Sequence, residues 1–402
     1  MPVDGEVHGR AEAACRDDGE QNLSRIQATL PPGLLARLAG VPLCSDAAAA
    51  TGSCPPSSQV GATTVGAGPG TNPIYVPEPG KAPTAVYLAG PYKGAPYSLV
   101  VKVPAQAGPF DLGTVTVRNA LNIDPGTTQV TAKSDPLPQI LQGIPIAYRD
   151  VRVEVNRPGF TLNPTSCDPM KIDSTLTSIE GKTASPSARF QVAGCGELGF
   201  KPKLSIKLKG GTKRSDHPAL TAVLKARKGD ANIGRVSVAL PHSEFLAQEH
   251  IRTVCTRVQF AAGAGNGAEC PKGSIYGKAS ALTPLLDKPL RGPVYLRSSD
   301  NPLPDLVVAL HGQVDFNLVG RIDSKNGGIR TTFGSVPDAP VSKFVLQMQG
   351  GRKGLLVNST DLCAATNRAA VKLDAQNGKT ADSTLALANG CGKGQRGRGS
   401  GS

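Results

Sequence analysis

The segment GEQNLSRIQATLP (Gly19–Pro31) aligns without a gap on GDANIGRVSVALP (Gly229–Pro241), and Gly, Asn, Arg, Leu and Pro recur at the same places. Working outward from that pair, the chain repeats itself. PGLLARLAG and HSEFLAQEH follow, both read as short helical stretches, and each copy then reaches a cysteine, Cys44 or Cys255. A Cys-Pro comes next, at Cys54 and Cys270. TAVYLAG then answers GPVYLRS, SLVVKV answers DLVVAL, and NPTSC (to Cys167) answers NSTDLC (to Cys363). Each copy closes on Gly-Cys-Gly, at Cys195 and Cys391, 28 residues after the preceding cysteine in both. So many coincidences in one order indicate internal duplication.

The local texture is β. In KLSIKLK (Lys203–Lys209) the apolar Leu204, Ile206 and Leu208 alternate with Lys203, Lys207 and Lys209, which places the two sets on opposite faces of a strand. VRVEV (Val151–Val155) alternates likewise, and Asp124-Pro125-Gly126 and Asn326-Gly327-Gly328 read as hairpin turns. With 47 Gly and 34 Pro among 402 residues, long helices are broken. There is no Trp and only 4% of residues are aromatic, so cores must be built from Val, Leu, Ile and Ala. The expected fold is all-β: two tandem, duplicated β-sandwich-like modules, each with a short helix and two disulfides. The expected boundaries are an N-terminal stretch 1–22, copy one over 23–197, copy two over 198–392 and a Gly/Arg-rich tail 393–402.

The eight repeated cysteines read as a disulfide framework. Of the three connectivities open to each copy, the nearest-neighbour one is expected: Cys44–Cys54, Cys167–Cys195, Cys255–Cys270 and Cys363–Cys391. Zinc is the competing reading, but it wants CxxC-like pairs or Cys/His clusters, and copy one has no His after His8. Buried free thiols are the other. Cys15 has no counterpart. Bridges place the chain outside the cytoplasm, extracellular or at the cell surface. No run of about 18 apolar residues suits a membrane span, and the first 21 residues carry no apolar leader segment. Copy two begins with a hairpin, 198–228, that residues 1–18 do not resemble, so the start reads as partway into a longer repeat protein.

Signals for chemistry are few. There is no GxSxG elbow, and four of the five His (His217, His242, His250 and His311) lie in copy two without counterparts in copy one. His242 and His250, with Glu249, share one short segment but are eight residues apart, too loose for one metal, and capping or surface roles are expected. Asp111, Asp135, Asp305 and Asp315 near strand ends are the residues on which a glycoside hydrolase would rest. No catalytic residue, metal or cofactor is assigned.

Charge is the one sharp feature. Net charge is +13, yet residues 1–195 hold 15 Lys/Arg against 16 Asp/Glu, while residues 196–402 hold 29 against 15. Residues 201–228 carry nine Lys/Arg against Asp216 alone. Lys203, Lys207 and Lys209, with Lys213 and Arg214 beyond them, are the candidate contacts for an anionic envelope polymer or a lipid surface. Specific nucleic-acid binding is disfavoured because no aromatic side chains interleave with these cations to stack on bases. The competing reading is that the lysines merely guard a sheet edge against pairing.

GPYKGAPYSLVVKVP, SDPLPQILQGIP and NRPGFTLNPTSCDP in copy one resemble segments of large predicted secreted or surface proteins of actinobacteria. ALPHSEFLAQEHIRTVC, RIDSKNGGIRTTF and GLLVNSTDLC in copy two carry the same resemblance, which spans nearly all of residues 23–392. It implies export and repeated β modules in longer chains, and no activity. The expected function is therefore that of a non-catalytic exported or surface repeat protein with a structural or spacing role. The alternatives are a binding module that uses hairpin 201–228, and an extracellular hydrolase.

Overall fold

A computed structural model describes residues 21–68, 72–262, 265–325 and 328–391. The expectations for Cys15, for the Asn326-Gly327 turn and for the tail fall outside these residues. The chain divides into two compact units. The first runs to Asp124 and takes in Gln129–Asn163 and Asp168–Val192; the second takes Pro125–Thr128, Pro164–Cys167 and everything from Ala193.

In the first unit the main strands are β1 (Leu23–Thr29), β2 (Gln59–Ala67), β3 (Ala85–Ala89), β4 (Tyr97–Ala107), β5 (Phe110–Ile123), β6 (Val130–Ser134), β7 (Tyr148–Glu154), β8 (Met170–Ser178) and β9 (Ser187–Phe190). They form one sheet in the order β7-β2-β3-β4-β5-β6-β1-β8-β9. Pro104 sits inside β4, not at an edge, but beside a bulge, where its missing N–H is tolerated.

The second unit has β10 (Lys203–Lys209), β11 (Ala219–Lys225), β12 (Ile233–Ala239), β13 (Ile275–Leu282), β14 (Leu290–Arg297), β15 (Asp305–Leu310), β16 (Phe316–Lys325), β17 (Gly328–Phe333), β18 (Lys343–Met348), β19 (Arg368–Ala375) and β20 (Ser383–Ala386). Their order is β10-β11-β18-β13-β14-β15-β16-β17-β12-β19-β20. From β18 onward this repeats the order of the first sheet strand for strand. The match extends to a close approach: a Cβ on Gly61 of β2 would lie 1.9 Å from the Glu154 carbonyl oxygen, and one on Gly277 of β13 would lie 2.5 Å from that of Gln347. Both glycines sit at a bulge in their strands.

Among the described residues, what the second unit adds is the hairpin β10–β11, and the hairpin closes the sheet. Ten successive antiparallel pairings leave the first and eleventh strands pointing the same way, so closure requires a parallel contact. Lys207 and Ala388 form that parallel bridge, with the Leu208 N–H donating to Ala388 O at 2.8 Å and the Ala388 N–H to Ile206 O at 3.0 Å. The result is barrel-like, with Phe200, Leu224, Ile233, Val371 and Leu373 in one buried cluster that also engages Leu204 and Phe344. In the first unit the described strands leave β7 paired on one side alone. Register makes Val153 the counterpart of Leu346. Val153 is 48% exposed, whereas Leu346, backed by Ala222 of β11, is 9% exposed.

Each module has its short helix, but not where the sequence placed it. PGLLARLAG turns at Gly33 (φ 83) and buries Leu34 and Leu35, the latter on the two-residue strand Leu35–Ala36 paired with Thr161–Leu162. HSEFLAQEH likewise forms the strand Glu244–Leu246 and a 3₁₀ turn over Gln248–His250. Paired backbone, not helical periodicity, decides these segments. The helices follow the first cysteine instead, inside the small disulfide loops. α1 (Asp46–Thr51) is capped by Ser45 and ended by Gly52 in the left-handed region. α2 (Arg257–Ala261) starts with a capping box between Thr256 and Gln259.

All four expected bridges form: Cys44–Cys54, Cys167–Cys195, Cys255–Cys270 and Cys363–Cys391, with Cα–Cα distances of 5.3, 5.6, 5.2 and 5.4 Å. Cys167 and Cys195, read by sequence as part of copy one, both fall in the second unit. The local reason is Asp338. Its buried carboxylate accepts the Thr165 N–H (2.6 Å), the Thr165 hydroxyl (2.6 Å), the Ser166 N–H (2.9 Å) and the Asn232 amide (2.8 Å).

Candidate functional site

Alternation puts Leu204, Ile206 and Leu208 inside the second sheet and leaves Lys203, Lys207 and Lys209 exposed on its outer face. Register then extends that face across neighbouring strands, because directly paired residues point the same way. One row reads Lys203–Lys225–Lys343–Leu282 from β10 through β11 and β18 to β13. The next reads Ser205–Val223–Val345–Ser280, and continues to Arg291 on β14. A third reads Lys207–Thr221–Gln347–Lys278, and Lys209 pairs with Ala219 beyond it.

These rows contain seven cations and no carboxylate, and none of the seven makes an ion pair among the described residues. They contain no aromatic side chain either. Strands lie about 4.8 Å apart, so Lys203, Lys225 and Lys343 stand side by side as like charges, an arrangement that costs stability. Lys213 and Arg214 are exposed on the connection between β10 and β11. The Lys213 N–H is tied to the Asp216 carboxylate at 2.8 Å, which shapes that turn.

Sequence periodicity found the β10 stripe. It could not find Lys225, Lys343, Lys278 or Arg291, whose membership depends on which strands are neighbours. β10 stands at the end of the sheet, where lysines can guard an edge, but Lys225, Lys343 and Lys278 lie on the interior strands β11, β18 and β13, with partners on both sides, where edge guarding does not apply.

A second cluster was legible only in part: Glu249 and His250 were singled out with His242, but their partner is His217. His217, two residues before β11, meets Glu249 and His250 of the 3₁₀ turn, with one ligand atom from each within 4.8 Å of the others. The His217 and His250 rings stack with centroids 4.2 Å apart. His242 is not part of this group.

The four aspartates considered for hydrolysis are each engaged locally. Asp111 accepts from Gln106 and from the Gly113 N–H, which holds it below the usual carboxylate range. Asp135 pairs with Tyr92 and Lys93, Asp305 with Arg297 at 3.4 Å, and Asp315 with His311 at 3.1 Å. A cleft in the second unit is lined by Arg235, Arg321, Arg330, Asp305 and Asp323, where Arg330 grips Asp323 with two bonds of 2.7 and 2.6 Å.

No helix among the described residues is long and apolar enough to cross a membrane. Comparison with protein-family models, with curated proteins and with solved structures finds no match.

Proposed function

We propose that this chain is a non-catalytic, exported repeat protein that binds an anionic polymer of the cell envelope through the lysine face of its second unit. One observation carries the reading: seven cations in registered rows on adjacent strands, without a single acid among them. A bound polyanion relieves the repulsion along Lys203–Lys225–Lys343, which nothing else in the described residues does. Lysine is a compact point charge that suits repeated phosphate, sulfate or carboxylate groups without demanding one geometry. The four disulfides support an oxidising, extracellular setting. The actinobacterial resemblance points the same way.

Calorimetric titration of the full chain with a glycerol-phosphate polymer and with a polyuronate tests this. Binding is expected to fall by about a hundredfold or more between 50 and 200 mM salt. Lys203→Gln, Lys225→Gln and Lys343→Gln together are expected to weaken it at least about tenfold, since each removes a close ionic contact. The same number of charges removed at Lys133, Lys171 and Lys182 of the first unit should change little. Equal loss in both sets, or binding to anionic vesicles alone, would contradict the polymer reading. The duplicated topology supports a second reading, in which the modules serve as spacers. That reading stands if no polymer binds.

A further inference from the structure

We propose that His217, His250 and Glu249 form a binding site for a divalent transition-metal ion of the zinc class. The three come from two separate segments, yet each offers a ligand atom within 4.8 Å of the others. The hydrogen bonds fix how the imidazoles present themselves. His217 Nδ1 lies 3.0 Å from the Leu356 carbonyl oxygen, and His250 Nδ1 lies 2.8 Å from that of Gly354. A carbonyl oxygen only accepts, so each Nδ1 donates its proton there and Nε2 is the nitrogen left to bind a metal. Backbone carbonyls hold metal-ligating histidines in this tautomer, and here both acceptors belong to one strap, residues 354–356.

With both Nδ1 atoms engaged, the two rings, their centroids 4.2 Å apart, leave both Nε2 atoms for a metal, and no donor reaches either among the described residues. Glu249 supplies the negative charge that two imidazoles lack, and it makes no ion pair among the described residues. Two imidazoles and one carboxylate suit zinc, nickel or copper. Calcium and magnesium require more oxygen ligands than this group offers. Three protein ligands leave a coordination position for water or for a ligand.

The site ties the return of the β10–β11 hairpin to the turn over Gln248–His250. It has no counterpart in copy one, where Ala39 and Gly40 stand at the places of Glu249 and His250.

The test uses the full chain without an affinity tag, stripped with a chelator and titrated with Zn²⁺ by calorimetry and with Co²⁺ by absorption. One equivalent is expected, with visible cobalt bands of an ordered nitrogen-and-oxygen site. His217→Ala and His250→Ala should each lower affinity by at least about tenfold, Glu249→Gln should weaken it, and His242→Ala should leave it unchanged. The cobalt spectrum of the unaltered chain reads the site without relying on any variant's folding. Non-saturating uptake, a featureless cobalt spectrum, or the same affinity after both histidines are replaced would each overturn the proposal.

Discussion

Glu244 is wholly buried on its short strand, and neither of its carboxylate oxygens finds a hydrogen bond among the described residues. Burial pushes it from 4.5 up to about 7. The fold therefore favours the neutral form. Its contribution is intact below the ordinary value, declines as pH rises toward 7, and is constant above. The counterpart in copy one is Leu34, buried at the same place. Glu244→Leu is thus expected to stabilise the second unit by up to about 3 kcal/mol at pH 8 and to gain less at pH 4, as urea unfolding at the two pH values will show. Asp338 is the opposite case, a buried carboxylate with four donors. Asp338→Ala strands the Thr165 and Ser166 N–H groups, and about 3 kcal/mol should be lost in the same experiment. Neither residue declares itself in the sequence: an acid reads as solvent-facing until its neighbours are known. His217 is hidden for the same reason, since 33 residues of chain separate it from the His250 ring it stacks on.

Among elements, strands were readable where alternation is strict. Lys203–Lys209 formed with the expected faces; Tyr148–Glu154 formed a strand at the sheet end, but Val153 is exposed along with Arg152 and Glu154. The two stretches read as helices were not readable, because runs such as GLLARL fit a buried short strand as well as a helical face. The signal that could have found the true helices lies in their caps, a Ser45 before an alanine run ended by Gly52 and a Thr256 paired with Gln259. Hairpin β10–β11 shows what one added element does to a duplicated sheet. Leu346 packs beneath it while its counterpart Val153 is half exposed. Leu346→Ala should cost roughly 2–4 kcal/mol, and Val153→Ala less than about 1 kcal/mol. Native-state hydrogen exchange can read each unit separately, as a two-unit chain requires.

On the scale of the whole molecule, duplication and the disulfide framework were plain from spacing alone, because a covalent staple needs only two cysteines at a recurring interval. The charge asymmetry between the halves was equally plain. Its arrangement was not. Only strand order turns one lysine stripe into a field four strands wide, with Lys225, Lys343 and Lys278 contributed from segments up to 140 residues from the first of them. Lysine acetylation footprinting, with and without a saturating glycerol-phosphate polymer, tests this field most directly. The account predicts that Lys203, Lys207, Lys209, Lys225, Lys278 and Lys343 become protected together while Lys171 and Lys182 keep their reactivity. Protection spread evenly over both halves of the chain, or absent from these six, would contradict it.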